Sequence, residues 1–412
     1  MNRIIIIGNG FDKAHGLATG YRDFIDSYWT NFLSHIYGNY WFYIMKHWGT
    51  INNPRPYEDE FVHFEISYYD KQYSAPESPL HPQLHADPYN NIQTIIAILN
   101  DSKSNRFDGS VRLTFKNKFF EHISKRCSLT NWLDVENEYY GKLKALLAED
   151  NDVLRNEKVR ELNRDFEAVK KRLEIYLTEE VDKASIEPLH SIREAFESVI
   201  EQEEVACGKQ KIFVESILSK MGTVGKDQEK CDIIQANKPK DTMILNFNYT
   251  HTAEKLYIRN TDSIINIHGE LNSNKNPIIF GYGDELDDDY KRIEKLQDND
   301  FLENIKSVRY HETSNYRRLL EFIESEPYQV ITMGHSCGNS DRTLLHTVFE
   351  HPNCISVKVY YHLREDGTDD YSQLIRNLSR NFNDKAAMRD KVVNKEQCLP
   401  LVPRATMDDS QV

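Results

Sequence analysis

The chain lacks the paired cysteines that bind structural zinc or form redox dithiols. Its six cysteines are scattered over the 412 residues, and no two of them form a CxxC motif: Cys127, Cys207, Cys231, Cys337, Cys354 and Cys398. A zinc ribbon and a thiol–disulfide active site are therefore disfavoured. We expect reduced thiols, most of them buried, as in proteins of a reducing compartment.

Long apolar runs and an excess of basic residues are also missing. No stretch approaches the roughly 20 apolar residues that span a bilayer. The apolar start of the chain is short and is followed by Asp12 and Lys13, unlike a secretory signal peptide. With 51 Lys and Arg against 65 Asp and Glu, the net charge is −14, which disfavours nucleic acid as the main partner. We expect a cytoplasmic protein that does not bind membranes.

Short apolar runs rich in β-branched residues indicate a parallel β-sheet. Five such runs are separated by helical patterns and cover residues 3–7, 243–245, 264–267, 329–333 and 355–361. Continuous apolar strands are typical of sheets covered by helices on both faces. We therefore predict an α/β fold with a parallel, Rossmann-like sheet and a large, mainly helical insertion.

The insertion separates the first strand from the others. Residues 52–88 hold six of the 13 prolines and are predicted to be loop-rich. A helical pattern runs from 131 to 221, with one apolar stripe formed by Leu162, Phe166, Val169, Leu173 and Leu177. We predict an α/β nucleotide-binding domain from residues 1–50 and 240–412, and an insertion of residues 51–239 that is loop-rich and then helical. The acidic run 284–289 is predicted to be a solvated loop.

Glycines and polar residues follow four of the predicted strands. Residues 8–12 (GNGFD) lie between the first strand and a helix predicted at Tyr21–Ile36. Glycines let the backbone approach a phosphate, although the spacing is not GxGxxG and a plain tight turn explains it equally well.

The other three tracts offer amide, imidazole and hydroxyl groups. Asn248 in the tract 246–250 (NFNYT) suits either a ribose hydroxyl or an Asx turn. His268, followed by Gly269, is either a general base or a structural histidine. The tract 334–336 (GHS) precedes Asp341, which suits either a ligand site or a helix cap.

Together these tracts resemble the AbiH family of bacteriophage abortive-infection proteins. The resemblance spans nearly the whole chain and includes Trp132-x-Asp134-x-Glu136 and the tract 375–378 (IRNL). It implies an anti-phage effector of abortive infection. Such an effector has to be held inactive in healthy cells, so we expect a phage-derived or host trigger and a homo-oligomer.

More distantly, the tracts resemble the sirtuin-like NAD-binding domains of bacterial defence systems. Those domains carry a Gly-Ala-Gly-x-Ser turn, an Asn-Tyr-Asp tract, a His-Gly pair and a Gly-x-Ser tract followed by Asp. The resemblance implies that the sheet is of the sirtuin-like, NAD-binding type and that Asn248 and His268 cleave NAD. The chain departs from the pattern with Asn9 in place of alanine, Asp12 in place of serine and Thr250 in place of aspartate. Sirtuin deacylases hold zinc on two CxxC pairs, so the missing pairs favour NAD hydrolysis over deacylation.

Our hypothesis is cleavage of the nicotinamide–ribose bond of NAD, with NAD as the substrate and no metal. The predicted catalytic residues are Asn248 and His268. The predicted nucleotide-binding residues are Gly8, Asn9, Gly10, Phe11, Asp12, Gly334, Ser336 and Asp341. The residues also expected to line the pocket are Glu136, Asn246 and Tyr249. Two alternatives stay open: a nucleotide-sensing module that acts through assembly or a partner, and a metal-dependent nuclease using Asp12, Glu136, Asp284 and Asp341.

Overall fold

The computed structural model describes residues 1–36, 55–68, 86–100, 109–126, 131–221, 237–258 and 263–404. The chain forms two compact units. The sheet unit consists of Met1–Thr19 and Glu174–Val412, and the insertion unit consists of Gly20–Leu173. The predicted domain limits, 1–50 with 240–412 against 51–239, concern folding domains and stay a prediction.

The strands form two separate sheets. In chain order and within the described residues, they are β1 (Asn2–Ile7), β2 (Tyr57–Glu58), β3 (Val62–Tyr68), β4 (Gly109–Phe115), β5 (Thr242–Asn246), β6 (Ile264–Asn266), β7 (Tyr328–Met333) and β8 (Cys354–Tyr360). The sheet unit holds a five-stranded sheet in the order β6-β5-β1-β7-β8, and every pairing in it is parallel. All five predicted strands are present, which confirms the α/β fold with a parallel sheet.

Helices are present in both units. In chain order and within the described residues, they are α1 (Asn9–Ala14), α2 (Tyr21–Ile36), α3 (Pro88–Asn100), α4 (Lys118–Ser124), α5 (Trp132–Ala145), α6 (Asp152–Lys183), α7 (His190–Glu197), α8 (Gln210–Met221), α9 (Thr252–Tyr257), α10 (Asp288–Lys295), α11 (Lys306–Arg309), α12 (Asn315–Ser325), α13 (Arg342–Glu350), α14 (Tyr371–Asn381) and α15 (Lys385–Lys391). The helix predicted at Tyr21–Ile36 is confirmed as α2. None of the helices in the described part of the chain is long and apolar enough to cross a membrane.

The central strand β1 is buried on both faces. Ile5 pairs with Ile244 of β5 on one side and with Ile331 of β7 on the other. Alternate side chains enter different hydrophobic clusters, Ile4 and Ile6 on one face and Ile5 and Ile7 on the other. Because both faces are apolar, the strand carries a continuous isoleucine run rather than an alternating pattern.

The insertion unit contains a small sheet that proline content does not reveal. Strands β2, β3 and β4 form an antiparallel sheet in that order, within and after the stretch predicted to be loop-rich. Val62, Phe64 and Ile66 are buried, and the alternating His63 and Glu65 are partly exposed. This period of two is the strand signal, whereas Pro56 and Pro88 lie outside strands β2 and β3. The other four prolines of the stretch lie outside the described residues. The predicted apolar stripe of α6, from Leu162 to Leu177, is buried at all five positions.

The cysteines are free thiols and most are buried within the described residues, as the lack of paired cysteines predicts. Among the described residues Cys337, Cys354 and Cys398 are buried, Cys207 is exposed, and all four are free. Cys127 and Cys231 lie outside the described residues.

The loops after β1 and β7 touch at backbone distance. The Gly10 amide donates a hydrogen bond to the Gly334 carbonyl at 2.8 Å. Gly334 has a φ of +69°, and a Cβ atom built on it lies 2.1 Å from the Phe11 nitrogen. Position 334 therefore requires glycine both for its left-handed conformation and for this close approach.

We predict that Gly334→Ala destabilises the protein more than Gly16→Ala does. Gly16 also has a positive φ of +80°, but nothing lies within 4 Å of a Cβ built there. Alanine at Gly16 is expected to cost about 1–2 kcal/mol for conformation alone. At Gly334 the overlap with the β1 loop adds about 1–3 kcal/mol. Urea unfolding of both variants measures the difference, and equal losses would contradict the close approach.

Candidate functional site

The site lies where the carboxyl ends of the parallel strands meet. From β1 the sheet continues through β5 and β6 on one side and through β7 and β8 on the other. Connections on the two sides of β1 therefore diverge and leave a crevice, which is where open α/β sheets bind ligands. All four sequence tracts begin at the ends of β1, β5, β6 and β7.

Asp12, on the short helix α1 that follows β1, points into the protein. Its side chain is buried and its Oδ2 accepts a hydrogen bond from the Thr250 hydroxyl at 2.6 Å. Burial raises the pKa of Asp12 from 3.8 to about 6, and the Thr250 hydrogen bond opposes this shift. Asp12 and Thr250 are two of the departures from the sirtuin-like pattern. These two side chains bond to each other. The sirtuin-like pattern has serine at the position of Asp12 and aspartate at the position of Thr250, so this chain carries the carboxyl and the hydroxyl in the reverse order.

Asn248 ties the β5 loop to the β1 loop. Its Nδ2 donates to the Gly8 carbonyl at 3.0 Å, and its backbone amide donates to Oδ1 of Asn246 at 2.9 Å. Asn246 is fully buried and donates to Oδ1 of Asn266 on β6 at 2.7 Å. The two asparagines thus join three adjacent strand ends through amide hydrogen bonds. Tyr249 is half-buried and its hydroxyl donates to the Ile279 carbonyl at 3.4 Å.

A buried group of charged and titratable residues surrounds Asp341, and we call it the Asp341 cluster. It consists of Asp341, Lys306, His268 and His335. Lys306 Nζ lies 2.8 Å from Asp341 Oδ1, and His268 Nε2 lies 3.2 Å from the same oxygen. His335 Nε2 lies 3.7 Å from Asp341 Oδ2. Burial alone raises the pKa of Asp341, but the positive charge of Lys306 and the hydrogen bond from His268 outweigh it and hold this pKa well below its usual range.

The two histidines of the cluster are held neutral. Burial lowers the pKa of His335 to about 4. Its Nδ1 accepts a hydrogen bond from the Cys337 amide at 3.0 Å, so the ring proton lies on Nε2, towards Asp341. Burial and the positive charge of Lys306 also lower the pKa of His268. The Phe247 ring packs against both imidazoles, with centroid distances of 4.9 Å to His268 and 4.2 Å to His335.

A cavity of about 660 Å³ opens beside the cluster, between the β1 and β7 loops and the chain that follows β8. Its lining includes three predicted residues, Gly10, Gly334 and Ser336. His335 both lines this cavity and faces Asp341, so it joins the cavity to the Asp341 cluster. Lys13, Arg364 and Arg404 bring positive charge to the lining, and Glu365 and Asp370 bring negative charge.

The predicted site residues therefore separate into groups. His268 and Asp341 belong to the cluster, while Gly10, Gly334 and Ser336 line the cavity. Asn248, Asn246 and Asp12 bind the loops together below the surface, and Phe11 is fully buried. Asn9 accepts a hydrogen bond from the Thr19 hydroxyl at 2.5 Å. Glu136 is buried on α5 in the insertion unit.

Sequence reasoning missed several residues of this site. His335 lies within the tract 334–336, but nothing in the sequence distinguishes it as a site residue. Lys306 lies on the four-residue helix α11, and Tyr310 follows it, with its hydroxyl 3.3 Å from His268 Nε2. No periodicity or motif distinguishes either residue before the fold brings it to His268 and Asp341. The acidic run also differs from the solvated loop that was predicted, because Asp284 is buried against Arg342 at 3.3 Å.

We predict that Lys306→Met lowers the free energy of unfolding by about 3–5 kcal/mol near pH 7, because it leaves the Asp341 carboxylate buried without a cation. Lys306→Met combined with Asp341→Asn should recover part of this loss. The exposed pair Lys240–Glu326, at 2.9 Å, provides the control, and Lys240→Met should cost less than about 1 kcal/mol. Urea unfolding measures all three variants. Similar losses for Lys306→Met and Lys240→Met would contradict a charge-balancing role.

We predict that Asp12→Asn stabilises the protein at pH 8 and not at pH 4. The folded-state pKa of Asp12 is raised, so its contribution to stability is present below pH 3.8 and is lost as the pH rises through about 6. Asparagine avoids this loss, and the expected gain at pH 8 is at most about 3 kcal/mol. Thermal melts at pH 4, 6 and 8 test this, with Asp150→Asn at an exposed position as the control. A gain that does not vary with pH would contradict a buried carboxylate.

The family model described as "Bacteriophage abortive infection AbiH" matches residues 4–362. The matched range contains the four strand-end tracts and Trp132-x-Asp134-x-Glu136, whereas the tract 375–378 lies beyond it. No curated protein and no solved structure matches the chain. The chain belongs to the AbiH family of bacteriophage abortive-infection proteins.

Proposed function

We propose that the protein acts in abortive infection by cleaving the nicotinamide–ribose bond of NAD or of a related nucleotide. One observation carries the proposal: His268 and Asp341, which follow different strands, meet at 3.2 Å beside a cavity at the carboxyl edge of the sheet. A histidine oriented by a carboxylate is a common arrangement for a general base. The strand order around β1 is the one that binds nucleotides in open α/β folds.

The cavity suits a nucleotide in size and position. Its volume of about 660 Å³ falls in the range of roughly 300–1,000 Å³ typical of small-ligand sites. Gly10 and Gly334 bring backbone rather than side chain to the lining, and Lys13 adds a positive charge. We place the nucleotide in this cavity, with its nicotinamide riboside end directed towards His335 and the Asp341 cluster.

The chemistry needs few groups. A water molecule adds to C1′ of the ribose as the C–N bond breaks through an oxocarbenium-like transition state. The bonding electron pair passes to the ring nitrogen, which leaves as neutral nicotinamide. The water proton passes to His268, and ADP-ribose is the other product. The lowered pKa of His268 keeps its imidazole able to accept this proton at neutral pH. In this proposal the Asn248 amide orients the ribose and the water.

Access to the catalytic pair is restricted. His268 is 5% exposed and Asn248 is 7% exposed, and neither lines the cavity. We therefore propose that a trigger, of phage or host origin or through homo-oligomerisation, displaces Tyr310 or Phe247 before substrate reaches them. An effector that consumes NAD needs such a silent resting state in uninfected cells.

The same burial favours a second candidate function. A cavity separated from the predicted catalytic pair also suits a module that senses a nucleotide and acts through assembly or a partner. Nucleotide binding without turnover, in the presence of the trigger, would favour this function over cleavage.

The positions of the carboxylates do not favour the nuclease alternative. Metal-assisted hydrolysis would need several carboxylates close together to bind the metal ion. Asp12 bonds to Thr250, Asp284 to Arg342 and Asp341 to Lys306. Glu136 belongs to the insertion unit.

We predict that purified protein, mixed with NAD and extract of phage-infected cells, releases nicotinamide and ADP-ribose. His268→Ala and Asn248→Ala should each lower the rate at least about 100-fold, as loss of a general base or of a positioning group does. Because the pKa of His268 is lowered, kcat/KM should stay level from pH 8 to below the ordinary histidine range and fall only at more acidic pH. Chromatographic detection of nicotinamide measures the rate.

His346→Ala is the matched control for this experiment. His346 is a half-buried histidine on α13 that bonds to the Asn381 carbonyl and lies away from the cluster. The control should keep full activity and phage protection. The proposal fails if no nicotinamide is released while the His268 and Asn248 variants still protect cells from phage.

A further inference from the structure

We infer that the chain after β8 forms a cationic wall of the cavity that binds the phosphate groups of an adenine nucleotide. This inference rests on the proposed function for the location of the ligand and adds the class of ligand and the residues that select it. Opposite the β1 and β7 loops, the cavity is lined by residues from 362–370 and 401–404. The family match ends at residue 362, so nearly all of this wall lies beyond it.

Two guanidinium groups on the wall bond only to neutral acceptors in the described part of the chain. Arg404 Nη2 donates to the carbonyls of Arg364 at 3.1 Å and Glu365 at 2.6 Å. Arg364 Nη1 donates to the Asp369 carbonyl at 2.9 Å and to the Thr368 hydroxyl at 3.2 Å. Neither guanidinium forms an ion pair with a carboxylate there, and the Asp366 carboxylate interacts with both positive charges only at longer range.

Three carboxylates near this wall bond to other groups, whereas no such bond is seen for the Glu365 carboxylate within the described residues. Asp369 Oδ2 pairs with Lys395 Nζ at 2.7 Å, and Asp370 Oδ1 accepts the His362 amide at 2.7 Å. Asp366 Oδ1 accepts the amide and the hydroxyl of Thr368 at 2.9 and 2.7 Å. The lining holds three basic residues, Lys13, Arg364 and Arg404, against the acidic Glu365 and Asp370. In a chain with a net charge of −14, this local excess of positive charge suits the cavity to an anion.

The wall is held in place before any ligand binds. The Leu401 amide donates to the Tyr361 carbonyl at 2.9 Å, and the Tyr361 amide donates to the Leu399 carbonyl at 3.2 Å. The Ser191 hydroxyl donates to the Leu401 carbonyl at 2.9 Å, and the Leu401 side chain is buried. A pre-ordered wall lowers the entropy cost of binding.

The apolar part of the cavity lining narrows the class of ligand further than the positive charge does. Apolar side chains stand beside the arginines in the same cavity: Leu363, Leu374, Val402 and Pro403. Guanidinium groups bind phosphates through paired hydrogen bonds, and an apolar surface accommodates a planar base. A ligand with both parts, such as the ADP moiety of NAD, matches this lining better than free phosphate or a neutral nucleoside.

Isothermal titration of the full chain with ADP and with adenosine tests the inference directly. ADP should bind at least about tenfold more tightly than adenosine, since each charge-assisted hydrogen bond contributes roughly the 1.4 kcal/mol that equals a factor of ten. Raising the salt from 50 to 300 mM should weaken ADP binding and leave adenosine binding unchanged. Equal affinities for the two ligands, or no ADP binding, would overturn the inference.

Variants of the two arginines test whether ADP binds at this wall. Arg364→Gln and Arg404→Gln should each weaken ADP at least about tenfold and leave adenosine unchanged, while Arg389→Gln on α15, outside the lining, should change neither. Because Arg404 also bonds to two carbonyls of the loop, Arg404→Lys and a thermal melt of each variant separate lost charge from a loosened loop. Unchanged ADP affinity in both glutamine variants would overturn the inference.

The outcomes separate this inference from the proposed function. ADP binding that depends on both arginines, without NAD cleavage under any trigger, supports the wall and contradicts cleavage. NAD cleavage whose KM is the same in wild type, Arg364→Gln and Arg404→Gln supports cleavage and contradicts the wall.

Discussion

The polar edge of the sheet is organised by one buried carboxylate. Asp341 is taken out of water with its charge intact, which is costly unless a cation and hydrogen bonds replace the lost hydration. Lys306 provides the cation, and the two histidines fill the remaining space around the carboxylate. These residues come from the loops after β6 and β7 and from α11, which are far apart in sequence. Their placement is therefore coupled, and the geometry around His268 depends on the Lys306–Asp341 pair.

Two different environments lie side by side at this edge. The Asp341 cluster is buried and tightly bonded, whereas the cavity is open and has a mixed lining of apolar and charged side chains. His335 belongs to both, with one ring nitrogen bonded to the Cys337 amide and the other facing Asp341. A ligand pressing on His335 would therefore bear on Asp341, and through it on His268. This is a short physical route by which occupancy of the cavity reaches the buried histidine.

The sheet could be predicted from sequence because its strands are buried on both faces. Such strands leave uninterrupted β-branched runs, of which 3–7 is the clearest. The small antiparallel sheet was missed because its signal is an alternation over a few residues next to several prolines. At the site, glycine and polar tracts after the strands indicated the carboxyl edge of the sheet, where the structure places the Asp341 cluster. Lys306, Arg364 and Arg404 could not be predicted, since a lone cation in a loop gains its meaning only from the neighbours that the fold brings to it.

The position of β1 also has a consequence for the time course of folding. β1 needs β5 and β7 on its two sides, and its Ile5 pairs with Ile244 and Ile331. A ribosome that adds roughly 5–20 residues per second leaves a delay on the order of 15–60 s between the synthesis of Ile5 and that of Ile331. Until Ile244 is made the four-isoleucine run has no strand to pair with, and until Ile331 is made one side of β1 stays open. Exposed runs of this kind are prone to aggregate. Nascent chains of this protein should therefore depend on chaperones that hold the first strand, and the cavity cannot assemble before residues 401–404 have been made.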